Sequence, residues 1–586
     1  MRFARLAVCA LVAVGCSGRS IVGNTSLDGA TDIGSSDASI DAPRVPGSGA
    51  FDPRVHGFSF ANYDNSAIAS NLSPAQMLRL FGPEVCEPSS VASGCSLTPV
   101  AATWMRETND LMGVGHCEGM AVLSTLLQQN VVALSALQRD AMNTFALARS
   151  PALEQELALW WATQVVPSLN SEECPAATET LQRLERSLRA GSGEAWTLAL
   201  WTLVGDEYEG GHAVTPIAVE RTDGSADQAD VLIYDNNFPG ETRRIHYTSL
   251  ASGAWTYRTS QNPDAAVSEY TGNNADNPLC LRRVNTRLAQ PSGCFFCGEF
   301  HSPPADSAGH ELRAPSNPMS LPMPGVLGRG ARGASISSNN NRRTGALRAI
   351  LFDGTGRSLS NVRGSADAGM SDGRVIRLTS LDPGSVRAAP VFSFHEGAAV
   401  RLTLRNEATD PSAMEPLDAR FFGPGYTLAV EGIDLPPGQS DHVALAPTGV
   451  GMVYQTSRDD SAAVVVGATV AGDDWRFTVR TRGHAGGETI GVTLDTERQE
   501  LEFYFLGAAT EMHAFDLVVQ RVNAQGTQTF GHTGTVEPGG AFLHLRYGAW
   551  TGEGHEIPMG VDRNDDGTPE AMEMLSDMDV SADAGP

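Results

Sequence analysis

Apolar side chains recur at helical spacing through the first third of the chain, switch to alternation near residue 205, and alternate almost without interruption after residue 345. Ser73-Pro74-Ala75-Gln76 carries an N-cap residue with proline at the first helical position, and predicts a helix opening into Met77-Leu78-Arg79-Leu80-Phe81. From 117 to about 149, Met120, Leu123, Leu126, Leu127, Val131, Leu134 and Leu137 fall three or four apart, which predicts one long helix. Further helices are predicted over 153–166, 176–188 and 194–203, then strands over 213–219, 231–234 and 243–247. Helices first and sheet later predict an α+β domain in two halves over residues 51–301. Residues 302–345 are rich in Pro, Ser, Gly and Asn and break the pattern, as a linker would. Short alternating runs such as Val400-Arg401-Leu402-Thr403-Leu404 and Leu501-Glu502-Phe503-Tyr504-Phe505 then fill 346–555. Their spacing predicts an all-β sandwich region of one or two modules. Residues 556–586 read as an acidic tail.

Composition sharpens this multidomain picture. The 586 residues carry 41 basic against 68 acidic side chains, a net charge of −27, which argues against nucleic acid as a partner. Residues 1–15 combine two arginines with a short apolar run, too short to span a bilayer, and predict a cleaved signal. The run ends in Ala13-Val14-Gly15-Cys16, which resembles a bacterial lipobox and predicts lipidation of Cys16. Residues 16–50, poor in large apolar side chains, are expected to be a disordered tether. The expected location is therefore the cell envelope, outside the cytoplasm, with the membrane reached through the lipid alone. The oligomeric state is not legible.

That compartment makes the nine cysteines informative. Cys9 leaves with the signal and Cys16 takes the lipid, so Cys86, Cys95, Cys117, Cys174, Cys280, Cys294 and Cys297 remain, an odd number where pairing is favoured. Cys86 and Cys95 close a short loop, Cys280 is expected to pair with Cys294 or Cys297, and one thiol is left over. Cys117 and Cys174 compete for that place.

The surroundings of Cys117 favour it. It stands in Gly115-His116-Cys117-Glu118-Gly119-Met120, where a helix is predicted to begin. Helix N-termini favour negative charge and so favour a thiolate, which an isolated thiol of pKa about 8.5 supplies only sparingly at neutral pH. A thiolate nucleophile also needs an imidazole that accepts and returns a proton. His116 is excluded, because neighbouring helical residues project about a hundred degrees apart. His212, in Gly210-Gly211-His212-Ala213-Val214, opens a predicted strand, and its glycines are expected to leave room for a substrate backbone. Asp235, after the next strand in Tyr234-Asp235-Asn236-Asn237, is placed to orient the imidazole, with Asn236 as a second candidate.

These three boxes resemble the Cys, His and Asn/Asp boxes of papain-like cysteine peptidases, and are most similar to bacterial secreted branches of that superfamily. The resemblance covers roughly residues 51–300. It implies an α+β papain-like fold, a Cys117–His212–Asp235 triad, and acyl transfer from a peptide or amide carbonyl through a thioester, with a peptide or protein as substrate. It also implies a polar side chain, usually Gln, a few residues before the nucleophile to hold the oxyanion. No Gln stands there, and Asn109 is the nearest candidate. Two other readings stay open: an acyltransferase of transglutaminase type using the same triad, and a surface adhesion or scaffold protein whose papain-like domain has lost turnover. Neither peptidase nor transferase chemistry on this triad calls for a cofactor.

Two further motifs stand apart. Asp562 to Glu573 matches a calcium-loop pattern, with oxygens from Asp562, Asn564, Asp566, Thr568 and Glu573 and a glycine at the sharp turn, so Ca²⁺ is an expected ligand. Cys294-Phe295-Phe296-Cys297 has no second CxxC near it, and a structural disulfide with Cys280 is the expected use.

Overall fold

The computed structural model describes residues 50–578 apart from internal segments, the longest being 300–330, 338–345, 363–372, 380–389 and 260–267. Cys16, the signal, the tether and most of the expected linker lie outside the described residues.

Among the described residues, seven α-helices precede or flank the first sheet: α1 (Pro53–His56), α2 (Pro74–Phe81), α3 (Pro99–Leu111), α4 (Cys117–Gln128), α5 (Leu134–Leu137), α6 (Pro151–Ala162) and α7 (Ala177–Ser187). Proline opens α2, α3 and α6, where its missing N–H costs nothing. The preceding Thr98 and Ser150 hydroxyls accept from the N–H groups of Ala101 and Leu153, which caps α3 and α6. Helix α4 is central: every residue from Cys117 to Leu127 is buried. It packs on α6, with Met120, Leu123 and Leu126 in one core with Leu157 and Trp161. It is shorter than the periodicity predicts. Asn130 turns left-handed (φ 57°), and the later apolar residues Val132, Leu134 and Leu137 pack on the same core from a loop and the one-turn α5.

The first sheet is antiparallel, in the order β1-β8-β2-β3-β4-β5-β6-β7. Its strands are β1 (Glu172–Glu173), β2 (Trp196–Val204), β3 (Glu207–Arg221), β4 (Ala229–Tyr234), β5 (Thr242–Ser249), β6 (Ala254–Thr259), β7 (Ser268–Gly272) and β8 (Cys280–Arg283). Strand β2 replaces the helix predicted over 194–203. Trp196, Leu198 and Leu200 face one core while Ala199 and Trp201 face another, so both sides are apolar and alternation vanishes.

The described residues from 331 onward form two further antiparallel sheets, of ten and nine strands, around one continuous apolar core running from Ala334 to Leu575. It is therefore one sandwich and not two modules. Its limits also differ from those expected. Ala331–Ser337, inside the expected linker, pairs between Val391–His395 and Glu415–Gly423 in the nine-stranded sheet. The expected acidic tail supplies Glu556–Asp562 and Ala571–Ser576, the last hairpin of the ten-stranded sheet. Ile557, Met559, Val561 and Leu575 carry that hairpin into the core, an alternation confined to one short strand and a single residue of its partner.

The helical part docks on the sandwich through α3. Glu107 is 3% exposed, accepts from Arg420 Nη1 at 2.8 Å, and is met by Ser335 Oγ at 3.0 Å. Phe296, from the Cys294–Cys297 turn, joins Phe81, Trp104 and Phe422 across the same junction.

Candidate active site

The chain reaches Cys117 through Gly115, whose φ of 128° ends the preceding turn and re-aims the backbone. His116 is the N-cap, and Cys117 is the first residue of α4. His116 lies stacked on Tyr63 with ring centroids 4.4 Å apart. Its nitrogens sit 2.9 Å from the Tyr63 carbonyl and 2.9 Å from the Asn71 side chain. Burial pushes its pKa down to about 4. Its contacts make it a structural residue of the helix start.

His212 comes from the opposite side. Strand β3 is long enough to pair with β2 through its first half (Leu200↔His212) and with β4 through its second (Thr215↔Tyr234). Asp235 follows β4 directly, so it arrives beside His212 at the point where β3 changes partners. His212 Nε2 and Asp235 Oδ1 are 2.7 Å apart. The same Asp235 oxygen accepts from the Asn237 N–H at 2.8 Å, and the other accepts from the hydroxyl of buried Tyr257. With Nε2 occupied, Nδ1 is the nitrogen left to face the sulfur, and Cys117 interacts with the imidazole. Burial works against charge on His212, but the Asp235 carboxylate and then Cys117 raise its pKa well above the usual value. Burial likewise opposes charge on Asp235, while His212, Tyr257 and the Asn237 N–H lower its pKa. Cys117, His212 and Asp235 are 0, 1 and 0% exposed, so the site is closed as folded.

Three of the predicted auxiliary roles change. Asn236 does not orient the imidazole. Its Nδ2 donates to the Cys117 carbonyl at 3.1 Å and to the Ala213 carbonyl at 2.9 Å, tying the helix start to the strand of His212. Asn109 is no oxyanion donor, because it lies on α3 with both ends of its amide bonded to the Leu72 backbone, at 3.0 and 3.1 Å. Nor does Gly211 leave room for substrate. A Cβ there would stand 2.2 Å from the Trp201 ring, so the glycine admits Trp201.

The structure adds residues that spacing could not show. Asn62, 54 residues before His116, accepts the His116 N–H at 2.8 Å and donates its own N–H to the Asn236 carbonyl at 2.9 Å. Glu118, next to Cys117, is fully buried and meets Arg282 at 2.7 Å, Arg287 at 2.5 Å and the Thr197 hydroxyl at 3.2 Å. Burial opposes its charge, but Arg287 and Arg282 outweigh that and lower its pKa. This cluster anchors the start of α4 to β2, β8 and the turn after β8.

Two of the expected disulfide assignments change as well. Cys86–Cys95 is present, but Cys280 bonds Cys174, and Cys294 bonds Cys297. The register of β1 on β8, with Glu173 opposite Leu281, brings Cys174 to Cys280. Among the described residues Cys117 is the cysteine outside a disulfide.

The calcium-loop pattern occupies the terminal hairpin. Asp562 accepts the N–H groups of Asn564, Asp565 and Gly567 at 3.0, 2.9 and 2.7 Å, Asn564 accepts that of Asp566, and Asp566 that of Thr568. Glu573 does not join them. It is an exposed strand residue opposite Met559, three positions from Asp562, or about 10 Å along the strand. Glu570 folds back on the loop instead, accepting the Arg563 N–H at 2.8 Å.

No family model, no curated protein and no solved structure matches this chain.

Proposed function

We propose that this protein is a cysteine hydrolase of papain-like organisation that cleaves peptide or amide bonds outside the cytoplasm, held at the envelope by a lipid on Cys16. The observation that carries the reading is His212, which hydrogen-bonds Asp235 through Nε2 at 2.7 Å and interacts with the Cys117 thiol at the start of a buried helix. Among the described residues, three disulfides with a single cysteine outside them fit an oxidising compartment and a retained thiol.

In this mechanism an imidazolium beside the sulfur favours the thiolate. The sulfur attacks the carbonyl carbon, and the π pair moves onto oxygen. His212 gives its Nδ1 proton to the leaving nitrogen as the C–N bond breaks, which leaves a thioester on Cys117. Water, losing a proton to His212, attacks the thioester, and the S–C bond breaks to release the carboxylic acid. Asp235 holds the ring in the required tautomer throughout. Because Cys117 is 0% exposed, substrate entry needs a local opening.

Iodoacetamide labelling of the intact protein tests the reading. Cys117 is expected to be carboxamidomethylated at neutral pH, and H212A to slow this at least tenfold. Equal rates in wild type and H212A would sink the proposal. Adding a primary amine during acyl transfer separates hydrolase from transferase, since a transferase diverts the acyl group to the amine.

A further inference from the structure

Asn62 is pinned beside the start of α4 in a way that leaves one end of its amide open. Its Oδ1 accepts two backbone N–H groups, from His116 at 2.8 Å and Tyr63 at 2.9 Å. Those partners can only donate, so the orientation of the amide is set: oxygen toward them, nitrogen away. The residue is 7% exposed, and Nδ2 is fully buried with no hydrogen-bond partner among the described residues. Buried amide donors are almost always satisfied, and one left open marks a strained or functional position. This one stands at the N-terminus of α4, where unpaired N–H groups and the helix dipole already favour negative charge.

We propose that Asn62 Nδ2 is the side-chain donor that receives the substrate carbonyl oxygen as it becomes an oxyanion. The assignment rests on the reaction proposed above, and it places Asn62 among the catalytic residues. No bond to Asn62 forms or breaks. The carbonyl π pair moves to oxygen as sulfur attacks, Nδ2–H donates to that oxygen, and the pair returns when the C–N bond breaks. The donor waits in place without a ground-state partner, so it needs no reorganisation as charge develops. It also restricts the substrate class to acyl compounds, whose oxygen gains charge on attack.

Two reactions of Cys117 separate the roles. Acetylation by p-nitrophenyl acetate develops an oxyanion, whereas alkylation by iodoacetamide displaces iodide and develops none. Asn62→Asp keeps the shape and the acceptor for the two N–H groups but removes the donor. It is expected to lower the rate of Cys117 acetylation roughly 10²-fold while the plateau alkylation rate, read from a full pH profile, stays that of wild type. Equal acetylation in N62D and wild type would overturn the assignment alone. So would a parallel fall of both rates, which would make Asn62 a positioning residue for the nucleophile. Wild-type protein that is alkylated but never acetylated at Cys117 would overturn the proposed function as well. Should N62D fail to melt cooperatively, Asn62→Ser, which removes the amide and retains a hydroxyl acceptor, is judged by the same two rates.

Discussion

Neutralising Asp235 is the sharpest perturbation of the proposed chemistry. Asp235→Asn keeps an oxygen for His212 Nε2 and a polar atom for the Tyr257 hydroxyl, so shape and burial are retained while the charge goes. His212 and Asp235 touch at 2.7 Å, which places their charge centres about 4 Å apart, worth about 4 kcal/mol at the effective dielectric of a protein site. At about 1.4 kcal/mol per tenfold, this disfavours the thiolate–imidazolium pair by roughly 10³ relative to thiol and neutral imidazole. The assay is the pH dependence of Cys117 carboxamidomethylation in the intact protein, read by mass spectrometry of the peptide containing Cys117. In D235N the rate at pH 7 should fall by roughly two or more powers of ten relative to wild type, and the two profiles should no longer overlie. A D235N profile that overlies that of wild type would refute the claim that Asp235 governs the charge on His212.

The same pair makes a stability prediction with a definite sign. The raised pKa of His212 adds stability below about pH 6.5 that is lost as pH rises through the raised value, and the lowered pKa of Asp235 adds stability above about pH 4 that is lost as pH falls through the lowered one. The melting-temperature gap between wild type and D235N should therefore be widest between about pH 4 and 6.5, and a flat gap across pH would contradict it. Glu118→Gln leaves Arg287 with the Thr163 hydroxyl as its remaining side-chain partner, and should cost about 3–5 kcal/mol in urea unfolding; a loss below about 1 kcal/mol would count against the cluster as an anchor. Removing the Cys174–Cys280 bond by C174S/C280S opens a link across 106 residues and should cost about 4 kcal/mol, read from the same unfolding curves. Non-reducing peptide mapping should find Cys174 with Cys280, and Cys294 linked to Cys280 would contradict the structure. Glu107→Gln should loosen α3 from the sandwich, seen as an earlier calorimetric transition for the helical part that E107Q shows and wild type does not.

Local chemistry made much of this protein readable in advance. Proline after a capping residue located α2, alternation identified the region beyond residue 345 as all-β, and cysteine parity with a helix start singled out Cys117. The order of His212 and Asp235 around a strand supplied the remaining partners. Each of those signals is carried by residues close in sequence, where spacing and side-chain type are enough. Spacing failed where burial is two-sided, as at β2, because a strand with both faces apolar has no alternation to read. It failed again where partners are remote. Cys280 found Cys174 through the register of β1 on β8, and Glu118 found Arg282 and Arg287. Asn62 reached His116, beside Cys117, from a segment that carries no motif. The sequence by itself determined which atoms could do chemistry. The tertiary structure alone decided which of them meet, because the contacts that select among buried polar groups are made between elements whose separation along the chain leaves no local trace.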